Sequence, residues 1–160
     1  MATSQKRITK PLLQELAECV NSPPAGITVS ASETDLHSWT ATLIGPPGTV
    51  YGGGIFTLSI VLPPDYPFKA PQVTFATRIY HPNVTNDSAG SICLGMLKPE
   101  NWKPASKIHA VLDAVRQLLV EPNPDDPLEP RIADEFKNSP REFEKTARSY
   151  ISRYATALKK

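Results

Sequence analysis

Only two cysteines occur in the 160 residues, Cys19 and Cys93, too few and too far apart for a disulfide framework or for the paired spacing of a zinc site. That usage reads as a reducing compartment, cytoplasm and/or nucleus, with no bound metal. No window approaches the roughly 20 consecutive apolar residues that cross a bilayer, so no membrane partner is expected. Met1 to Lys10 holds the adjacent basic pair Lys6 and Arg7 with no apolar stretch behind it, so export is not expected either. Positive charge is missing altogether between Lys10 and Lys69, where the only charged residues are Glu15, Glu18, Glu33, Asp35 and Asp65. From Arg131 to Lys160 basic and acidic residues are interleaved at helical spacing, the pattern of a solvated face and not the concentrated patch that nucleic acid requires. Repeats and low-complexity stretches are absent. The 17 prolines are about twice the ordinary usage, but they fall between apolar segments and act as fixed turns.

What is present is periodicity. Ile8, Leu12, Leu16 and Val20, with Leu13 and Ala17 beside them, outline an amphipathic helix. Pro11 removes a hydrogen bond to the Arg7 carbonyl, so that helix either begins near Thr9 or kinks. From Gly26 to Phe75 the period is two, and four strands are expected near 26–31, 37–44, 54–62 and 72–76. Their short connections, Gly45-Pro46-Pro47-Gly48 and Pro63-Pro64-Asp65-Tyr66-Pro67, suit an antiparallel meander. Between Arg78 and Ala105 the period vanishes, yet Tyr80, Ile92, Leu94, Met96, Leu97 and Trp102 call for packing, which describes an ordered functional loop. Helical spacing returns at Ile108, Val111, Leu112, Val115, Leu118 and Leu119 and stops at Pro122. After the rigid acidic turn Glu121 to Pro127, a short helix is expected near Arg131 to Phe136 and a longer one from about Arg141 to Ala157. The expected class is α+β, and we expect a single domain over 1–160, roughly 5–158 ordered, with no substantial extension at either end, and a monomer.

Cys93 lies in the ordered loop, and a thiol is the best neutral-pH nucleophile among side chains. The alternative is an inert buried cysteine, the reading that applies to Cys19. Upstream, Pro82 stiffens Tyr80-His81-Pro82-Asn83, so Asn83 is either a rigid amide donor to an oxyanion or a turn cap, and His81 either shapes a site or satisfies buried backbone. Asn123 and Asp126 sit on the proline-stiffened turn, where plain turn formation is the competing account.

Taken together, these segments resemble the catalytic domain of ubiquitin-conjugating enzymes. The motifs are Tyr51-Gly52-Gly53-Gly54-Ile55-Phe56, Asp65-Tyr66-Pro67-Phe68, Tyr80-His81-Pro82-Asn83, Gly90-Ser91-Ile92-Cys93-Leu94, Trp102-Lys103-Pro104-Ala105 and Glu121 to Leu128. In order, they cover essentially the whole chain. The resemblance implies an N-terminal helix, a four-stranded antiparallel meander, an active-site flap and three C-terminal helices. It makes Cys93 the acceptor of the carboxyl terminus of ubiquitin from an activating enzyme, as a thioester then passed to a substrate lysine or to a ligase. Asn83 would stabilise the oxyanion or the loop that does so, Asp126 would orient the incoming lysine, and His81, Asn123 and Leu128 would shape the approach. The partners implied are ubiquitin, the activating enzyme, RING-type ligases with HECT-type ligases as a further class, and protein substrates. Lys6 and Arg7 match contacts to the activating enzyme; Phe68, Pro104 and Ala105 match contacts to a ligase. Asp113 and Gln117 match the surface for donor ubiquitin, and Thr28 matches a back-face ubiquitin contact. No cofactor is bound; ATP is consumed upstream by the activating enzyme.

Three features depart from the family's pattern. Gly95 stands where relatives often carry an acidic or hydroxyl residue that gates the site, Asp113 stands where many present an apolar residue to ubiquitin, and the loops from Asn83 to Cys93 and before Trp102 are slightly long. Two other activities compete on chemistry. A cysteine hydrolase would take its base from His37, His81 or His109. A non-catalytic ubiquitin-binding module would have no use for the cysteine that this chain keeps. A different modifier, SUMO-like or NEDD8-like, is the remaining alternative; the Asn123 to Pro127 turn leans towards ubiquitin through the resemblance alone.

Overall fold

The computed structural model describes residues 2–156, with side chains from residue 10 onward. In chain order the elements are α1 (Ala2–Asn21), β1 (Ile27–Ala31), β2 (Ser38–Ile44), β3 (Ile55–Val61), β4 (Gln72–Phe75), a 3-10 turn (Gly95–Leu97), α2 (Ile108–Val120), α3 (Pro130–Asn138) and α4 (Pro140–Tyr154). The strands pair in sequence order, β1-β2-β3-β4, all antiparallel. The meander expected from the period-two segments is therefore present, each strand within about a residue of its expected limits. No helix among the described residues is long and apolar enough to cross a membrane.

Register follows from burial. Ile27, Leu43 and Phe56 form one cross-strand row, Val29, Ala41, Leu58 and Phe75 the next, and Ala31, Trp39, Ile60 and Val73 a third. All of these except Ala31 are buried, and a one-residue slip would turn an apolar row out to water. Outward positions carry Thr28, Thr42 and Thr57 in one row. The buried face of α2, formed by Ile108, Val111, Leu112, Val115 and Leu119, joins the same core. Beyond α4 the chain returns to the sheet, where Ile55 N–H donates to the Ala155 carbonyl at 2.8 Å. α4 thus stops at Tyr154 instead of running to Ala157, a residue outside those described, as is Leu158 at the end of the expected ordered span.

Of the two alternatives for Pro11, a helix beginning near Thr9 is excluded, because α1 runs from Ala2 through Pro11. The expected apolar stripe is corrected. Its inward line is Leu12, Leu16 and Cys19, whereas Leu13 and Val20 are 50% and 49% exposed. The stripe is turned because Glu15, an acid, lies on the inward side and finds hydrogen-bond donors there. Ile8 lies outside the residues whose side chains are described.

The aperiodic segment folds into an ordered flap. Val84 bridges Ile92, Thr85 N–H donates to the Ser91 carbonyl, and Asp87 accepts from the Thr85 hydroxyl and from the N–H groups of Ala89 and Gly90. Gly90 has φ +58°, and a Cβ there would be driven into the Phe75 carbonyl oxygen. Phe75 N–H donates to the Gly90 carbonyl at 2.8 Å, so this close approach docks the flap on β4. Gly90→Ala should therefore lower stability by about 1–3 kcal/mol in urea unfolding; a variant as stable as the parent would contradict this docking.

Candidate active site

The site is built from backbone outward. His81-Pro82-Asn83 enters the core after β4, and its side-chain polar atoms are all hydrogen-bonded. The His81 ring is fully buried and stacks on Tyr51 with centroids 5.5 Å apart. Its Nε2 donates to the Leu118 carbonyl at 2.9 Å and its Nδ1 accepts the Asn83 N–H at 2.9 Å. One nitrogen must carry a proton and the other must not, so the ring is a neutral imidazole in a single tautomer. Burial lowers its pKa from 6.5 to about 4, with the Leu118 carbonyl opposing that shift. The Pro82 carbonyl accepts the N–H groups of Leu128 and Glu129 at 2.9 and 3.0 Å.

Asn83 is buried, and its carboxamide clamps the acidic turn. Its Oδ1 accepts Asn123 N–H at 2.9 Å, while Nδ2 donates to the carbonyls of Asn123 at 2.8 Å and Asp126 at 3.0 Å. Both amide hydrogens are taken, so of the two roles considered for this residue the geometry provides for support of the turn. On its other side, the Asn83 carbonyl accepts Cys93 N–H at 2.9 Å. One residue therefore holds the nucleophile candidate and the acidic turn together.

Cys93 is half-buried, and its Sγ donates to Asp126 Oδ2 at 3.5 Å. Lys98 Nζ lies 3.5 Å from the same oxygen, and both charged side chains are well exposed. The thiol is pushed above its ordinary pKa by burial first and then by the Asp126 carboxylate, with Lys98 acting in the opposite direction. It is thus held mainly as a thiol. Cys19, fully buried, is pushed up to about 11 by burial and by Glu15 and Glu18, which suits an inert core cysteine. Neither His37, which donates its N–H to Asp35, nor the exposed His109 is bonded to Cys93.

The remaining candidates fall into separate places. Asn123 and Leu128 flank Asp126 at the surface, Leu128 being 38% exposed. Phe68 is 76% exposed, and Pro104 and Ala105 are exposed on the turn that begins at Trp102. Trp102 Nε1 donates to the Pro67 carbonyl at 2.7 Å, which brings these two turns together. Asp113 and Gln117 are exposed on one face of α2, and Thr28 faces outward from β1. The side chains of Lys6 and Arg7 lie outside the described residues. Gly95 is open to solvent, with nothing within 4 Å of an added Cβ, so packing does not require glycine there.

The roles of three participants escaped sequence reasoning. No spacing rule points to Lys98, and Tyr51, whose hydroxyl donates to the Tyr80 carbonyl at 2.6 Å, is legible in the sequence only as the first residue of the Tyr51-Gly52-Gly53-Gly54 motif. Glu15 did leave a signal, an acid beside the apolar stripe of α1.

The chain matches the ubiquitin-conjugating enzyme family over residues 11–151. It is similar in structure to the E2 domain of a ubiquitin conjugating enzyme of Toxoplasma gondii, at 37% identity and a TM-score of 0.84, the match covering 92% of this chain and 99% of that one. A thiol beside a clamped acidic turn, on this meander and across this span, leaves one conclusion. The chain belongs to the ubiquitin-conjugating enzyme family and carries its E2 domain. Lys6 and Arg7 precede the matched span.

Replacing Asn83 by Ala removes three hydrogen bonds at once. We expect a loss of roughly 1–3 kcal/mol in urea unfolding, with water rescuing part of the exposed turn, and faster hydrogen exchange at the Asn123 amide. For His81 the sign is set by its depressed folded pKa. The unfolded chain binds the proton first, near 6.5, so stability is fully present above that value and is lost as pH falls towards about 4, by at most about 3 kcal/mol. An NMR titration of the ring in the folded protein should show no protonation at about pH 5.5.

Proposed function

We propose that Cys93 receives the activated carboxyl terminus of ubiquitin from an activating enzyme and passes it to a lysine amine, or to a ligase. The carrying observation is the pairing of the Cys93 thiol with Asp126 on a turn fastened by Asn83. A hydrolase needs its thiol activated by a neighbouring base or positive charge. Here the nearest polar partner is a carboxylate that raises the thiol pKa, and the buried His81 ring is occupied on both nitrogens. This speaks against hydrolysis. A thiol suffices when the incoming acyl group is already activated, and ATP is spent upstream on that activation.

In the transfer step, the neutral amine of a lysine attacks the thioester carbonyl carbon, a C–N bond forms, the C–S bond breaks, and Cys93 leaves as a thiolate that takes up the proton shed by the nitrogen, regenerating the thiol. Asp126 is exposed enough to receive the approaching ammonium and hold the amine as it gives up its proton. Asn83 acts through the turn, His81 and Asn123 maintain it, and Leu128 borders the approach. Ligases of RING or HECT type would meet Phe68, Pro104 and Ala105; donor ubiquitin would lie against the α2 face with Asp113 and Gln117; the activating enzyme would use Lys6 and Arg7; and Thr28 marks a back-face contact for a second ubiquitin. We place the reaction in the cytoplasm and/or nucleus.

The deciding assay mixes the protein with ATP and matched pairs of activating enzyme and modifier: ubiquitin, SUMO-like and NEDD8-like. A thiol-sensitive adduct with ubiquitin is expected. It should be absent in Cys93→Ala and become a thiol-resistant ester in Cys93→Ser. Charging with another modifier alone would reassign the enzyme to that modifier, and ester or peptide hydrolysis without ATP would favour the hydrolase. Asp126→Asn should act in opposite directions on two readouts. Removing the carboxylate lowers the thiol pKa, so alkylation of Cys93 at neutral pH accelerates, while discharge to free lysine slows roughly 10–100-fold. Equal changes in both would mean that Asp126 acts only on the thiol.

A further inference from the structure

The first helix carries an acid on its inward side. Glu15 lies between Leu12 and Cys19, both buried, and a carboxylate among core groups is costly unless donors meet it. Donors from two other elements converge on it. The Tyr66 hydroxyl, in the turn after β3, lies 2.9 and 2.8 Å from the two carboxylate oxygens, and the Ile108 N–H, first in α2, donates at 2.6 Å. Lys107, at the start of α2, makes no side-chain cap. Glu15 therefore supplies from another helix the negative group that a helix start favours. Burial and the Glu15 carboxylate push the Tyr66 hydroxyl well above its ordinary pKa, so it remains a donor. Glu18, one turn on, reaches Lys107 Nζ at 3.3 Å.

A second tie joins the same segments. Trp102 Nε1 donates to the Pro67 carbonyl at 2.7 Å, and the Tyr66 and Trp102 rings lie 6.2 Å apart. The turn holding Phe68 is thus fastened to α1 through Tyr66 and to the next turn through Pro67. The turn holding Pro104 and Ala105 is fixed at one end by Trp102 and at the other by the Ile108 N–H on Glu15. Phe68 stands 76% exposed between these attachments. None of the bonds involves Cys93 or Asp126.

We propose that Glu15 is a positioning residue for ligase response: its carboxylate sets the spacing of the Phe68 turn and the Pro104-Ala105 turn, and so the fit of a ligase domain, without contributing to chemistry at Cys93. The inference rests on the reading that these turns receive the ligase. Its energetic logic is that of a bolt, since one carboxylate oxygen replaced by an amide NH2 leaves one of the two donors, the Tyr66 hydroxyl or the Ile108 N–H, without its acceptor.

The test uses the full chain charged with ubiquitin and discharged to free lysine, with titration of a RING domain that accelerates the parent enzyme. Glu15→Gln should raise the RING concentration for half-maximal acceleration roughly 5–20-fold, the range of a typical coupling between sites. Charging and discharge without the RING domain should stay at parent values. Tyr66→Phe should shift the same quantity in the same direction, and the double variant should add little, because both changes remove one bond. The NMR signal of the Trp102 indole N–H should move in each. An unchanged half-saturation in Glu15→Gln and Tyr66→Phe, while Phe68→Ala weakens the response, overturns the inference alone. A parallel loss of charging and RING-free discharge assigns Glu15 a purely structural role and also overturns it. If Phe68→Ala itself responds like the parent, the ligase-face reading fails and takes the inference with it.

Discussion

The Asn83 carboxamide is the constraint on which the site depends. A buried amide exchanging hydrogen bonds with the backbone of a distant turn defines both distance and orientation, because amide geometry is planar and the exchange is reciprocal. Its Oδ1 and Nδ2 hold Asn123 and Asp126, while its own carbonyl holds the Cys93 N–H. The segment bearing Asn83 is itself immobilised. His81 is locked in one tautomer by Leu118 and by the Asn83 N–H, and Pro82 receives two N–H groups from the far side of the acidic turn. Rigidity is thus concentrated in buried groups and delivered to the surface through backbone.

What this framework presents is electrostatically mild. Asp126 contacts both the Cys93 thiol and the Lys98 ammonium through one oxygen. Exposed ion pairs of this kind are typically worth 0–1 kcal/mol, so Lys98 is easily displaced from the carboxylate by another cation. A thiol kept protonated by a neighbouring carboxylate is poorly suited to attack an unactivated amide, yet adequate for exchange with an acyl group already held as a thioester. The separation between stiff support and replaceable surface charge recurs at the far end of the molecule, where Glu15 and Trp102 hold two turns from below and leave Phe68 free.

Much of this was readable in one dimension. The four strands announced themselves by alternation because one sheet face is buried and the other meets water, and α2 did so because five of its thirteen residues are buried on one face. The turns were marked by proline and glycine. The first helix is less legible: its apolar spacing places Leu13 and Val20 on the inward arc, and the structure turns them out. Apolar spacing alone cannot discount a charged residue such as Glu15, whose place inside is made tolerable by Tyr66 and Ile108, 51 and 93 residues away. Cys93, Asn83 and Asp126 stand out by residue type and stiff flanks, but Lys98 carries no local mark and the motif that begins at Tyr51 does not reveal its bond to the Tyr80 carbonyl.

Residue order alone therefore determined the elements, their sequence, the turn chemistry and a candidate thiol, because each follows from interactions between near neighbours or from side-chain type. Only the tertiary structure decided that the thiol's partner is a carboxylate and not an imidazole, and that His81 is spent on backbone. It also decided that Asn83 serves the turn through both amide hydrogens. Those outcomes depend on which groups are excluded from water together, and burial is a property of the packed chain that no short stretch of it possesses.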